Sequence, residues 1–169
     1  MKAKGILIAA ALAITAALTS ACGIYSFTGA SYGTAKTVSV DYFQNRSTYV
    51  NSTLSTKITE DLKDRFMSQT PLSLVKENGD LHFEGTITGY TITATAIKAG
   101  ETAAKNRLTI TLKVAFTNQT APENDFDKSY SRYADYDVTE SFASVESGLV
   151  DEIVEELIND IFNDAVVNW

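Results

Sequence analysis

The sequence predicts an α+β fold, a two-layer sandwich with two helices packed on one face of a mainly antiparallel four- to five-stranded sheet. Three observations predict it. Leu108, Ile110, Leu112, Val114 and Phe116 alternate without fault against Thr109, Thr111, Lys113, Ala115 and Thr117, the period of a half-buried strand. Leu54, Ile58, Leu62 and Phe66 recur at steps of four, the apolar stripe of a helix. Phe142, Val145, Leu149, Ile153, Leu157 and Ile161 repeat that stripe near the end of the chain, with Val150, Val154, Ile158 and Phe162 beside it.

Taken in order, the elements begin after an address. Residues 1–21 read as an export signal, 22–35 as a tether and 36–169 as one domain. Lys2 and Lys4 give the basic start, the uncharged run Gly5 to Leu18 the apolar core, and Thr19, Ser20 and Ala21 the small residues at the cut. Cys22, the single cysteine of the chain, follows directly. This arrangement resembles the bacterial lipobox, although Thr19 stands where Leu is most usual and Leu18 lies one place further back. The resemblance implies cleavage before Cys22 and acylation of its thiol and of the new amino terminus. Each buried methylene is worth roughly 0.8 kcal/mol, so two or three chains anchor durably where one holds marginally. The lead that follows packs partly through Ile24, Tyr25 and Phe27.

Lys36 to Phe43 alternates, with Val38, Val40 and Tyr42 to one side. Asn51 or Ser52 caps the first helix, and Pro71 ends that segment. Leu72 to Val75 is a short strand, and Glu77-Asn78-Gly79-Asp80 reads as a hairpin turn because Asn-Gly tolerates positive φ. Leu81 to Ile97 is a long strand. Leu81, Phe83 and Ile87 share a face, the phase flips to Tyr90, Ile92 and Ala94, and Gly85 and Gly89 mark a bulge near the switch. Phe126 to Tyr136 is a weaker aromatic strand, and Thr139 caps the last helix. Asp151, Glu152, Glu155, Glu156 and Asp160 form its wet side, a solvated face rather than a calcium site.

Composition narrows the function. The chain carries 14 basic and 21 acidic side chains. Removing residues 1–21 takes away two lysines, leaving 12 against 21, or −9, over 148 residues. That length makes one domain with a real core, and the charge argues against nonspecific nucleic-acid binding. No later stretch is apolar enough to span a membrane. His82 is the single histidine and lies on the outer side of its strand, read as ordinary surface. No Gly-x-Ser-x-Gly turn, Cys/His zinc cluster or phosphate loop is present. A carboxylate pair could act as a glycosidase, but nothing in the pattern selects one. The sequence therefore assigns no catalytic residue, no cofactor and no metal. The candidate contact is the turn from Lys98 through Lys105 to Arg107, three cations at the tip of the longest hairpin in an acidic protein. Lys and Arg suit phosphate, such as the phosphorylated lipid A of lipopolysaccharide, and the competing reading is a solvated turn.

The chain resembles the lipopolysaccharide-assembly lipoprotein family LptE, in the form found in Bacteroidetes. The residues that carry this are Cys22-Gly23-Ile24-Tyr25-Ser26-Phe27-Thr28-Gly29, then Gly79-Asp80-Leu81-His82-Phe83-Glu84-Gly85 with Ile87 and Tyr90. Asn106-Arg107-Leu108-Thr109-Ile110 and the ending Asp160-Ile161-Phe162-Asn163-Asp164-Ala165 to Trp169 complete it. The resemblance implies two helices on a small sheet, and a lipid anchor at the outer membrane with the domain facing the periplasm and a barrel lumen. It implies an LptD-like β-barrel as partner, plugged and helped to assemble, and assistance in delivering lipopolysaccharide to the cell surface. The alternative is an envelope lipoprotein that binds another ligand or envelope protein.

Overall fold

The computed structural model describes residues 33–49, 51–95 and 104–166. Cys22, Lys98 and the apolar residues of the lead lie outside them. The elements in order are β1 (Thr37–Val40), β2 (Gln44–Asn45), α1 (Leu54–Gln69), β3 (Ser73–Leu74), β4 (Leu81–Thr95), β5 (Lys105–Asn118), β6 (Phe126–Asp137) and α2 (Phe142–Val166). A 3-10 turn over Pro122–Asn124 joins β5 to β6. Among the described residues no helix is long and apolar enough to cross a membrane.

The α+β class holds, but the sheet is larger and more mixed than the alternation predicts. It has six strands in the order β3-β1-β4-β5-β6, with β2 also paired to β4. β4, β5 and β6 are antiparallel, whereas β1 runs parallel to both β3 and β4, and β2 runs parallel to β4.

The first predicted strand breaks in two, which is the main correction. Val38 and Val40 are buried as expected, but Tyr42 is 52% exposed and Phe43 is fully buried. The chain leaves β1 beside Leu81–Phe83 and rejoins β4 further along, at Thr86 and Ile87. In that step the Phe43 ring swings into the core over Gly85, where a Cβ would collide with it. The second correction concerns Glu77–Asp80. Asn78 does take a positive φ of 54°, but β3 and β4 are both parallel partners of β1 and form no hairpin. The segment is a strap across β1. The Asp80 carboxylate accepts the Lys36 and Thr37 N–H groups at 2.8 and 3.0 Å, and Gly79 N–H donates to Ser39 Oγ at 2.9 Å. Gly79 lies so close that a Cβ would sit 2.6 Å from Ser39 N.

The helices behave as their stripes dictate. Leu54, Ile58, Leu62 and Phe66 are all fully buried, and the Asn51 side chain accepts the Thr53 and Leu54 N–H groups at the start of α1. α2 begins at Phe142, later than a Thr139 cap would set it, because Asp137 holds Thr139 through its N–H and hydroxyl. The broad apolar face of α2 is satisfied by β5, β6 and α1. Aromatic rings run through the core from one layer to the other: Phe162 to Phe66, Phe66 to Phe83, Phe83 to Phe116 and Phe116 to Phe126, each step 4.8–5.1 Å between centroids. Polar contacts then fix α2 on β6. Arg132 donates to both Asp160 oxygens, and Lys128 and the Tyr130 hydroxyl donate to Asp164. Burial first, and Asp164 second, push the Tyr130 hydroxyl above its ordinary pKa, so it stays a donor.

Candidate functional site: the helix-free face of the sheet

With both helices on one face, no helix among the described residues covers the other face of β4, β5 and β6. Strand alternation decides what it carries. The bulge between Ile87 and Gly89 resets β4, so that after it Thr91, Thr93 and Thr95 align with Thr109, Arg107 and Lys105. Thr86 and Thr117 lie on the same face, as do Thr111 and Ser131, whose hydroxyls meet at 3.0 Å. Thr88 sits on the bulge itself, exposed, and donates to Thr111 O. β-branched threonines favour strands while offering hydroxyls outward, so one residue type supplies both the strand and its polar surface.

Two cations of this face, Arg107 and Lys113, are paired with acids. Arg107 Nε and Nη2 donate to the two Asp135 oxygens at 2.7 and 2.9 Å, and the guanidinium carbon lies 3.5 Å from the Tyr133 ring centroid. Asp135 holds the guanidinium further above its usual pKa. Lys113 Nζ is 3.0 Å from Asp127. Lys105 is exposed and stands in register with Asp137, whose carboxyl is held below its usual range by the Thr139 hydroxyl and N–H and, less strongly, by Lys105. A carboxylate placed at 105 or 107 would therefore face an acid across the strands.

Of the predicted contact residues, the structure brings Lys105 and Arg107 to one end of the β4–β5 hairpin, on one face. Arg107 is already engaged by Asp135 and Tyr133. Lys98 and Cys22 lie outside the described residues. The acidic side of α2 is partly spent: Asp151 pairs with Lys57 at 2.9 Å, and Asp160 with Arg132 at 2.6 Å.

His82 is not the plain surface residue its isolation predicts. Nδ1 lies 2.7 Å from Ser39 Oγ, and Nε2 lies 3.4 Å from Glu84 Oε1 and 3.8 Å from Asp41 Oδ2. The His82-x-Glu84 spacing on one strand face was legible. Asp41 and Ser39 arrive through the parallel β1–β4 register, which no local signal announces.

A family model described as LptE, lipopolysaccharide-assembly, matches residues 35–165. No curated protein matches the sequence. Among solved structures, the hypothetical protein CT253 from Chlamydia trachomatis is similar at a TM-score of 0.52 and 8% identity, covering 78% of this chain and 98% of that one. A minor lipoprotein from Acinetobacter baumannii aligns at 0.47 and 12% identity, over 78% and 96% of the two chains. Lipoprotein GNA1162 from Neisseria meningitidis aligns at 0.43 and 12% identity, over 76% and 99%. The CT253 likeness is one of fold. The family model spans nearly the whole described domain, β1 through α2, and on that match the chain belongs to the LptE lipopolysaccharide-assembly family.

Proposed function

We propose that this protein is an outer-membrane lipoprotein subunit of the lipopolysaccharide-transport machinery. Lipid on Cys22 anchors it, the domain faces the periplasm and a barrel lumen, and it plugs an LptD-like β-barrel and assists its assembly. The family membership supports an assembly role rather than catalysis. The observation that carries the reading is the helix-free face. A plug must match a polar, water-filled wall rather than offer a greasy patch. Here threonine and serine hydroxyls alternate with cations already paired to acids, so the face is polar and nearly neutral within an acidic chain. The Lys98–Arg107 end of the β4–β5 hairpin is the part that reaches furthest into the lumen. Lys98, Lys105 and Arg107 are the candidate cations for lipopolysaccharide phosphate, and of these Arg107 is also engaged by Asp135.

The test is affinity purification of the full-length protein from native membranes with mass spectrometry of what it retains, beside a Cys22→Ser variant. The expected result is a co-purified large outer-membrane barrel, lost or strongly reduced with the variant as the protein leaves the membrane. Recovery of the wild-type protein without a barrel overturns the partner. Normal acylation and outer-membrane retention of Cys22→Ser overturns the anchor.

A further inference from the structure

The helix-free face holds a second constellation at the opposite side of the sheet, where β1 meets β4. His82 and Glu84 project from one face of β4, two residues apart, and Asp41 follows β1, tied to β4 by its N–H on Phe83 O at 2.9 Å. Their donor atoms all lie within 4.8 Å of one another. Two donors on one tetrahedral zinc ion at about 2.0–2.1 Å are about 3.3–3.4 Å apart. His82 Nε2 and Glu84 Oε1 are separated by 3.4 Å, and Asp41 Oδ2 is 3.8 Å from the same nitrogen. Asp41 and Glu84 are exposed, so small side-chain rotations close the remaining gap.

The group behind the imidazole is what separates this arrangement from a chance cluster of surface acids. Metal-binding histidines need their second nitrogen held, which fixes ring and tautomer. His82 Nδ1 faces Ser39 Oγ at 2.7 Å, and Ser39 is fully buried beneath the Glu77–Asp80 strap, held by the Gly79 N–H. In the tautomer with its proton on Nδ1, donated to Ser39 Oγ, the Nε2 lone pair is left for a cation held between the two carboxylates. Beside them opens a cleft of about 540 Å³ that Asp41 and Glu84 help to line. It leaves a fourth position accessible to water or to a partner's donor. Lys113 also lines the cleft, but Asp127 engages it.

We propose that Asp41, His82 and Glu84 form a binding site for one zinc ion, oriented by Ser39. One nitrogen and two carboxylate oxygens suit zinc better than calcium or magnesium, which take oxygen donors alone. The site does not depend on the barrel assignment.

The experiment titrates the full-length protein in detergent, stripped with chelator, against zinc chloride alone by isothermal titration calorimetry. His82 ring nitrogens are followed by NMR in parallel. The expected result is one saturable site per chain, with a shift at Nε2. Asp41→Asn and Glu84→Gln each weaken binding by at least about 10-fold, and His82→Gln abolishes the site. Ser39→Ala weakens binding by about 10–100-fold, and His82→Gln keeps the proposal testable if Ser39→Ala fails to fold. Absence of saturable binding overturns the proposal. So does unchanged affinity in His82→Gln, which assigns the heat to the acidic face of α2.

Discussion

Leu112 and Thr111 are neighbours on β5, and they face different surroundings. Leu112 is fully buried beneath the helix layer, whereas Thr111 meets Ser131 at the surface. The same alternation runs through β5 and along β4 as far as Tyr90, whereas on β6 Lys128 and Arg132 interrupt the inner face and pair with α2. Inner residues make one apolar core with a continuous row of aromatic rings. Outer residues make a polar layer of hydroxyls and cross-strand ion pairs. The difference teaches where stability and recognition reside. Apolar burial holds the fold together, and exposed ion pairs add little to it. Nothing in the folding of the sheet demands that Arg107 and Lys113 on its outer face be paired with acids. That pattern is what a surface meeting a polar wall needs.

The largest effect should come from the inner face. Leu112→Ala removes a fully buried side chain at the centre of the best strand and should cost about 2–5 kcal/mol, read by urea denaturation. A smaller effect is expected where the outer face is itself covered, under the strap. Asp80 has its carboxyl held below its ordinary 3.8, chiefly by the Lys36 N–H and then by Thr37. A depressed native pKa stabilises the fold above the unfolded value, and that contribution fades as pH falls through the lower native value. Asp80→Asn should therefore lower the melting temperature at neutral pH and flatten its fall at acidic pH. An unchanged acid limb would mean the strap is not held by this carboxylate. The smallest effect is expected at Thr111→Ala, within about 0.5 kcal/mol. A cost there equal to that of Leu112→Ala would abolish the distinction between the faces.

The antiparallel half of the sheet was legible because alternation alone specifies it. Leu108 to Phe116 is buried on every second residue, and the bulge falls at Thr88, beside Gly89, near the phase switch. Both helical stripes were legible for the same reason. The parallel corner was not. Parallel register joins residues some 40 apart, and no periodicity encodes which strand lies beside which. Thus the division of Lys36–Phe43 into β1 and β2, the burial of Phe43 over Gly85 and the strap across β1 emerge only in three dimensions. The candidate contact was half legible. Composition picked out Lys105 and Arg107, but the partner of Arg107 is Asp135, on a strand whose register could not be read beforehand. The Asp41–His82–Glu84 cluster was missed because it lies at the corner where parallel pairing does the assembling.

The most direct test of the central claim, that the helix-free face is the surface that meets the barrel, is site-specific photocrosslinking in living cells. A photoreactive residue at Thr111 samples that face, and one at Glu152, exposed on the outer side of α2, samples the opposite layer. Adducts with a large outer-membrane β-barrel protein at Thr111, exceeding those at Glu152, are the predicted result. Adducts confined to Glu152, or none at Thr111 while the protein is folded and anchored, would contradict it.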